Sequence, residues 1–247
     1  MQGKPKVQVT NLTKRFGDLL VLNSVSFDVA KGEFLCVVGP TGCGKTTFLN
    51  SLTKLYEPTS GQILIDGEPV DLKKHNVSYI FQENSTMDWL TVEQNVGFGL
   101  DIKKKSVHEK KQVVDEVLEI VGLKEYRRYY PCELSASMLQ RVVIARAFAT
   151  KPGLLLMDEP YGQLDIELRF KLEDELIALW QRTGTTVIFI THNIEEAVYL
   201  SENILVLTNK PTTIKELVHN DLPRPRDITS QEFVAVRNHV TDLIKWW

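Results

Sequence analysis

The sequence is poor in cysteine and has no long uninterrupted apolar run. Its three cysteines, Cys36, Cys43 and Cys132, are widely spaced and odd in number. They match neither a disulfide framework nor a zinc-binding spacing, and they suit a reducing compartment. No segment reaches the roughly 18 consecutive apolar residues of a membrane-spanning helix, and the first residues lack the apolar stretch of a signal peptide. Any role at a membrane is therefore expected to come through a partner.

The chain also lacks an excess of positive charge. Its formal net charge is −3 and its pI is near 6.0, which gives no electrostatic reason to expect a nucleic-acid partner. The basic run at residues 103–105, followed by Lys110 and Lys111, is interpreted as a solvated approach to a helix rather than a phosphate-binding patch. A length of 247 residues allows one core, or one core with an inserted lobe.

Short apolar runs predict a β-rich beginning and a buried parallel sheet. A half-buried strand is indicated by apolar residues at largely alternate positions: Val21, Val25, Phe27 and Val29. Phe34–Val38 is apolar throughout and is bounded by Gly32 and Gly39, as in a strand covered on both faces. A strand at residues 63–65, turned by Asp66-Gly67, follows a helix at about 45–55.

Three later apolar runs each end at a polar residue that can do chemistry. They are residues 77–81 before Gln82, 154–157 before Asp158, and 187–190 before Thr191-His192. Ligands of open α/β sheets bind beyond the carboxyl ends of the strands, so one nucleotide could meet all three.

Between residues 92 and 150 the strand signal disappears and helical spacing replaces it. One helix is indicated by a stripe that ends at Gly122, its expected C′ residue: Val113, Val114, Val117, Leu118 and Val121. Further helices are predicted at 137–149, 165–182 and 193–200, the last with Asn193 and Glu196 as its cap and N3 residue. We therefore expect an α/β core with a β subdomain at 1–95 and 151–210, a helical subdomain at 96–150, and a polar tail at 211–247.

One glycine-rich segment matches the phosphate-binding pattern G-x-x-x-x-G-K-[ST] between a predicted strand and a predicted helix. Its residues are Gly39, Pro40, Thr41, Gly42, Cys43, Gly44, Lys45 and Thr46, and we extend the site to Thr47. Glycines let backbone N–H groups turn inward around an anion, and the helix N-terminus adds partial positive charge. Lys45 is expected to reach the β- and γ-phosphates of ATP, and the Thr46 hydroxyl to ligate Mg²⁺.

Two adjacent carboxylates follow the apolar run at 154–157. Asp158 is expected to hold Mg²⁺ through water, and Glu159 to orient and deprotonate the attacking water. An acidic pair after a strand is by itself weak evidence, and the upstream phosphate loop strengthens it. The evidence for Gln82 and His192 is weaker still, because a lone Gln or His is usually structural. Each of them, however, follows its own apolar strand. His192 could donate a hydrogen bond where charge builds up on the γ-phosphate.

Taken together, these motifs resemble the nucleotide-binding subunit of ABC (ATP-binding cassette) transporters over about residues 7–210. In the family's order the matching positions are Phe16, 39–46, Gln82, 134–138, 157–160, Leu164-Asp165 and His192. The resemblance implies an α/β fold: a P-loop NTPase (RecA-like) core with an N-terminal antiparallel β subdomain and an inserted α-helical subdomain. It also implies that Phe16 stacks on adenine, that Gln82 touches Mg²⁺ or the attacking water, and that Asp165 crosses a dimer interface.

Finer features resemble the import ATPases for nitrate, aliphatic sulfonates, taurine and related small anions or heterocycles. They include residues 81–83, 89–92, 140–142, 196–198 and 222–226. This likeness implies an ATPase at the cytoplasmic face of the membrane, paired with a second ATPase subunit and a transmembrane permease, and indirectly with an extracytoplasmic solute-binding protein. A homodimer is the primary expectation and a heterodimer the alternative.

The signature segment departs from the family pattern. The usual Leu-Ser-Gly-Gly is here Leu134-Ser135-Ala136-Ser137, so Ser135 is kept and both glycines have gained a Cβ. In the family this segment binds the γ-phosphate held by the opposite subunit, through the serine hydroxyl and a glycine N–H; here these contacts fall to Ser135 and Ser137. Where a positive φ or close approach is needed, an added Cβ costs about 1 kcal/mol. The alternative function is therefore an ATP-binding subunit with weak hydrolysis that acts as a regulatory or heterodimer partner.

Overall fold

The computed structural model describes residues 4–72, 74–162 and 166–244. Their strands are β1 (Val7–Phe16), β2 (Leu19–Val29), β3 (Phe34–Val38), β4 (Ser60–Ile65), β5 (Glu68–Pro69), β6 (Val77–Ile80), β7 (Leu154–Asp158), β8 (Thr186–Ile190), β9 (Asn203–Leu207) and β10 (Ile214–His219). Their α-helices are α1 (Lys45–Leu52), α2 (Val92–Ile102), α3 (Val107–Ile120), α4 (Ala136–Ala149), α5 (Ile166–Thr183), α6 (Ile194–Leu200) and α7 (Gln231–Ile244). Two short 3-10 turns lie at Lys124–Tyr126 and Pro131–Glu133.

The chain forms two compact units. The first contains the described residues up to His75 and from Thr186 onward, and the second runs from Asn76 to Thr185. The region predicted to be helical, residues 96–150, lies within the second unit.

The first unit contains an antiparallel sheet and a group of strands around β3. The antiparallel sheet has the order β2-β1-β4-β5, and it confirms the predicted N-terminal β subdomain. Strand β3 pairs in parallel with β8 on one side and β9 on the other, while β10 runs antiparallel to β9. All five residues of β3 and all five of β8 are buried, as their apolar sequences require.

The second unit combines a parallel strand pair with helices α2 to α5. Strands β6 and β7 are parallel, with Ile80 opposite Met157. Helix α3 buries the predicted stripe at Val114, Val117 and Leu118, and Gly122 has a φ of +64°, which confirms it as the C′ residue. Helices α2 and α3 both begin with capping boxes, from Thr91 and Ser106 respectively.

The basic run before α3 is largely engaged in contacts within the unit. The Lys103 ammonium donates to Asn76 Oδ1 at 2.6 Å and to the Thr150 carbonyl at 3.0 Å. Lys105 pairs with Glu109, and Lys110 pairs with Asp101. These pairings agree with a solvated, ion-paired helix approach rather than an open phosphate-binding surface.

None of the helices that the structure describes is long and apolar enough to cross a membrane.

Candidate functional site

The glycine-rich loop connects buried strand β3 to helix α1, as predicted. Gly42 has a φ of +76°, and Gly44, the N-cap residue of α1, has a φ of +114°. A Cβ on Gly44 would also come within 2.8 Å of Val21 Cγ1. Glycine is therefore required at this position both for the left-handed backbone and for space.

Lys45 lies at the first position of α1 and is almost fully buried. Its Nζ donates to the Gly39 carbonyl at 3.0 Å and to the Pro40 carbonyl at 3.3 Å. These contacts place the ammonium over the loop, so its charge lies at the N-terminus of α1 where backbone N–H groups also converge. Thr41 on the loop and Thr46 on the first turn of α1 are exposed.

Thr212, which the sequence did not indicate as a site residue, holds the glycine-rich loop through hydrogen bonds. Thr212 is fully buried, and its hydroxyl donates to the Cys43 carbonyl. Its backbone N–H donates to the Val21 carbonyl at 2.8 Å, and its own carbonyl accepts from Asn23 N–H at 2.8 Å. Because a peptide group directs its C=O and N–H in opposite directions, fixing the Cys43 carbonyl also fixes the direction of the Gly44 N–H.

Cys43 behaves as a packed apolar side chain. Burial raises the pKa of its thiol, although the nearby Lys45 ammonium acts in the opposite direction. The thiol is therefore protonated at neutral pH and does not compete with an anionic ligand for the loop.

His192 follows strand β8 at the sheet edge where the loop leaves β3. Val37 in β3 is opposite Ile190 in β8, and Thr191 N–H donates to the Val37 carbonyl at 3.3 Å. Asn193 then caps α6, its side chain accepting from Glu195 N–H at 2.9 Å and Glu196 N–H at 3.3 Å. The structure therefore brings exposed His192 and the glycine loop to the ends of neighbouring parallel strands, and it confirms the predicted cap of α6.

Phe16 lies at the end of β1, opposite Leu19 across the β1–β2 turn, and its side chain is 42% exposed. Leu19 is two residues from Val21, the residue that touches the Gly44 position. Two residues of strand span about 7 Å, so this aromatic side chain and the glycine loop belong to one local region.

In the second unit, Asp158 is the last residue of β7, and Gln82 lies two residues beyond the end of β6, the parallel neighbour of β7. Asp158 is only 4% exposed, and the Tyr79 hydroxyl donates to its Oδ2 at 3.5 Å. Tyr79 was not singled out from the sequence, because only the register of β6 against β7 places its hydroxyl beside this carboxylate.

Glu159 adopts a backbone conformation that is uncommon for its residue type. Its φ is +45°, its side chain is half-buried, and its carbonyl accepts from Gly162 N–H at 3.3 Å. Left-handed non-glycine residues cost of order 1–3 kcal/mol and cluster at functional sites.

Exposed Gln82 begins a segment that is held at two later points. Arg146 of α4 donates to the Ser85 carbonyl at 2.8 Å and to Ser85 Oγ at 2.7 Å. Fully buried Asn95 accepts from Met87 N–H at 2.8 Å, and its amide nitrogen donates to the Met87 and Leu90 carbonyls among others. Burial lowers the pKa of Arg146. Its guanidinium group still makes charge-assisted hydrogen bonds to Ser85 of this segment.

The signature segment forms the start of helix α4. Ser135 is the N-cap, and its Oγ accepts from Met138 N–H at 3.4 Å. The Ser135 and Ser137 hydroxyls lie 3.0 Å apart in hydrogen-bond contact. Ala136 and Ser137 are the first residues of the helix and have no positive φ, so the two added Cβ atoms cause no backbone strain here. Asp165 lies outside the described residues.

A glycine loop that joins a buried parallel strand to a helix, with lysine at the helix start, defines a P-loop nucleotide-binding domain. The family model for "ABC transporter" matches residues 22–162. The chain belongs to the ABC transporter family and is an ATP-binding ATPase of that class.

Relatives of similar length support this membership. An uncharacterized ABC transporter ATP-binding protein of Methanocaldococcus jannaschii is 42% identical over 98% of this chain and 92% of its own length. The aliphatic sulfonates import ATP-binding protein SsuB of Bacillus cereus (strain ZK / E33L) is 42% identical over 92% of this chain and 90% of its own.

Two solved structures share the fold. A dimeric ATP-binding cassette in a post-hydrolysis state, bound to ADP and Pi, has a TM-score of 0.75 at 30% identity, covering 86% of this chain and 98% of that one. The protein cbiO1 from Clostridium perfringens, part of the ABC transporter complex cbiONQ, has a TM-score of 0.81 at 24% identity, covering 94% and 93%. These likenesses confirm the predicted α/β P-loop fold.

Proposed function

We propose that this chain is the ATP-hydrolysing subunit of an importer that moves a small anion of the sulfonate, nitrate or taurine type through a membrane permease. The observation that carries the proposal is the P-loop geometry, with Lys45 held over the loop at the start of α1. The importer assignment is supported by the SsuB relative at 42% identity over most of both chains.

In the first unit, the loop of residues 39–46 and Thr47 would hold the triphosphate of ATP. Its backbone N–H groups and the α1 N-terminus stabilise negative charge, and the Lys45 ammonium would move from the loop carbonyls to the β- and γ-phosphates. Phe16 would stack on the adenine, and His192 would donate a hydrogen bond to the γ-phosphate as charge develops on it.

In the second unit, Glu159 would orient the attacking water and accept its proton as the bond to the γ-phosphate breaks. Gln82 would contact the same water and report on the permease, since its segment leads to the exposed Trp89.

Each unit offers hard oxygen donors of the kind that Mg²⁺ prefers. In the first unit this donor is the Thr46 hydroxyl, and in the second unit the donors are the Gln82 amide oxygen and the Asp158 carboxylate, which lies buried at the end of β7. When bound, Mg²⁺ supplies positive charge that neutralises the phosphate oxygens.

Two such chains would form a dimer, with Ser135, Ser137 and Asp165 contributing to the ATP held by the opposite subunit. The dimer would bind peripherally to the permease at the cytoplasmic face of the membrane, and a solute-binding protein would deliver the anion from the other side. This arrangement is supported by the dimeric ATP-binding cassette at 30% identity and by the role of SsuB in aliphatic sulfonates import.

One contact favours a second candidate, an ATP-binding subunit with weak hydrolysis that serves as a regulatory or heterodimer partner. The Ser137 hydroxyl lies 3.0 Å from the Ser135 hydroxyl, which is the proposed γ-phosphate donor. A donor that is already paired must exchange one hydrogen bond for another when ATP arrives, which reduces its net contribution.

Transport by the reconstituted complex tests the proposal. The chain is co-purified with the permease proposed as its partner, reconstituted into vesicles with a solute-binding protein, and supplied with labelled ethanesulfonate, taurine or nitrate. We expect ATP-dependent uptake of one of these anions, at least about 100-fold lower in the Glu159→Gln complex because the general base is lost. Hydrolysis of ATP without uptake of any of the three anions would contradict the proposed substrate class.

A further inference from the structure

An aromatic pair joins the end of β1 to the segment that follows α1. The rings of Phe16 and Tyr56 have centroids 5.3 Å apart and planes at 85°, an edge-to-face arrangement. Both side chains remain partly exposed, Phe16 at 42% and Tyr56 at 38%. Edge-to-face contacts of this kind hold one ring at a fixed angle to the other.

The ammonium group of Lys14 lies over the rings of this aromatic pair. Lys14 Nζ lies 4.8 Å from the Phe16 centroid and 5.8 Å from the Tyr56 centroid. Lys14 and Phe16 are two residues apart in β1, so their side chains lie on the same face of the strand. The Lys14 ammonium also donates to the Glu57 carbonyl at 2.7 Å, which fixes its position over the rings.

Tyr56 is attached to the helix that begins at the P-loop. Its backbone N–H donates to the Asn50 carbonyl of α1 at 3.1 Å. The chain that follows it is tied to β1, since Thr59 N–H donates to the Thr13 carbonyl at 2.8 Å and Thr59 Oγ1 accepts from Arg15 N–H at 3.0 Å. The aromatic pair is therefore connected to the phosphate-binding loop through short, hydrogen-bonded segments.

From this geometry we propose that Tyr56 and Lys14 are positioning residues for the nucleotide base, because they hold the Phe16 ring at one angle with one face covered by the lysine. The inference rests on the proposed stacking of adenine on Phe16. Because the Phe16 ring is already held in position, it loses less side-chain entropy when the base binds. Tyr56 and Lys14 can therefore raise the affinity for ATP without touching the base. We expect this arrangement to leave the binding of the triphosphate unchanged.

Comparison of ATP with inorganic tripolyphosphate separates the base from the phosphates. Dissociation constants of both ligands are measured by titration calorimetry on the full chain and its variants, without Mg²⁺ so that hydrolysis is suppressed. We expect Tyr56→Leu to weaken ATP binding about 3-fold and Lys14→Met about 2-fold, with tripolyphosphate binding unchanged. Phe16→Leu is expected to weaken ATP binding about 10-fold, again without effect on tripolyphosphate.

Two variants control for structure. Tyr56→Phe keeps the ring and is expected to bind ATP like the parent chain. Tyr126 is equally exposed at 38% and makes a matching edge-to-face contact with Tyr129 at 5.3 Å in the second unit, so Tyr126→Leu should leave the affinity for both ligands unchanged. Thermal unfolding is recorded for each variant so that a general loss of structure is recognised.

The outcomes distinguish this inference from the function on which it rests. If Phe16→Leu lowers ATP affinity selectively but Tyr56→Leu and Lys14→Met do not, the positioning role is wrong and the proposed function stands. If Phe16→Leu also has no selective effect, both the stacking and the positioning roles are wrong. If Lys45→Ala weakens neither ligand, the proposed P-loop binding itself is wrong.

Discussion

Substitution of Lys45 by Ala is expected to remove ATP hydrolysis and to weaken ATP binding, whereas Glu159→Gln is expected to remove hydrolysis alone. Lys45 holds a buried ammonium at the start of α1, within reach of the loop carbonyls of Gly39 and Pro40. Loss of one such charged donor to a reacting phosphate costs about 100-fold to 1,000-fold in rate. Because the same group is proposed to contact ATP in its ground state, we expect the affinity for ATP to fall as well.

Glu159→Gln should lower turnover by about 100-fold or more, since a general base contributes roughly that factor. Glutamine has nearly the same size, so the left-handed turn at this position and the binding of ATP should be preserved. Phosphate release measures turnover, and a fluorescent ATP analogue measures affinity.

A surface ion pair supplies matched controls for both substitutions. Lys124 and Glu119 lie 2.5 Å apart with exposed side chains, so Lys124→Ala and Glu119→Gln should leave turnover unchanged. Turnover that persists in both Lys45→Ala and Glu159→Gln would refute the assigned chemistry.

Restoring glycine to the signature segment is expected to raise the rate of hydrolysis and lower stability. The double variant Ala136→Gly with Ser137→Gly removes two Cβ atoms from the first turn of α4 and frees the Ser135 hydroxyl from Ser137. One recovered hydrogen bond to a charged phosphate gives an increase of about 10-fold. Two glycines in a helix cost roughly 0.5–1 kcal/mol each, which urea unfolding should detect.

Single substitutions separate the hydroxyl from the Cβ. Ser137→Ala removes only the hydroxyl, so a rate gain in this variant assigns the effect to the 3.0 Å contact with Ser135. If only the double variant gains rate, the effect is assigned to the removal of the Cβ atoms, which would let the partner subunit's nucleotide approach more closely. Ser135→Ala should lower the rate in either case.

Gln112→Gly, at an exposed position of α3, is the control for helix destabilisation, and it should lower stability without changing the rate. No gain from the double variant would show that the altered signature does not limit hydrolysis, and it would count against the weak-hydrolysis alternative.

Local sequence patterns predicted the parts of the site that depend on neighbours along the chain. The strand Phe34–Val38, the loop glycines and the start of α1 are contiguous, so a single motif specifies all three. Gln82 and His192 could be located because each lies two residues beyond the end of a parallel strand, β6 and β8 respectively.

Contacts between distant segments could not be predicted in this way. Thr212 reaches the Cys43 carbonyl across 169 positions of sequence, and Tyr79 reaches Asp158 across 79. Neither residue carries a motif, and only strand register brings it to the site. Strand β10 was likewise missed, because only Val218 of its six residues is buried and no apolar alternation results.

Helix α2 was missed although its signal was present. Thr91 and Gln94 form a capping box, and Val92, Val96 and Leu100 repeat at helical spacing on the buried face. The two glycines, Gly97 and Gly99, weaken the helical propensity of the same stretch.

The most direct test is the mass of the Glu159→Gln variant with and without Mg-ATP, measured by size-exclusion chromatography with light scattering. Because this variant hydrolyses ATP slowly, the closed, ATP-bound dimer should persist. The measured mass should therefore rise from 28.2 kDa toward twice that value when ATP is added. This rise should be absent when Glu159→Gln is combined with Lys45→Ala. A variant that binds ATP yet remains at 28.2 kDa at every concentration tested would contradict a function based on two copies closing around nucleotide.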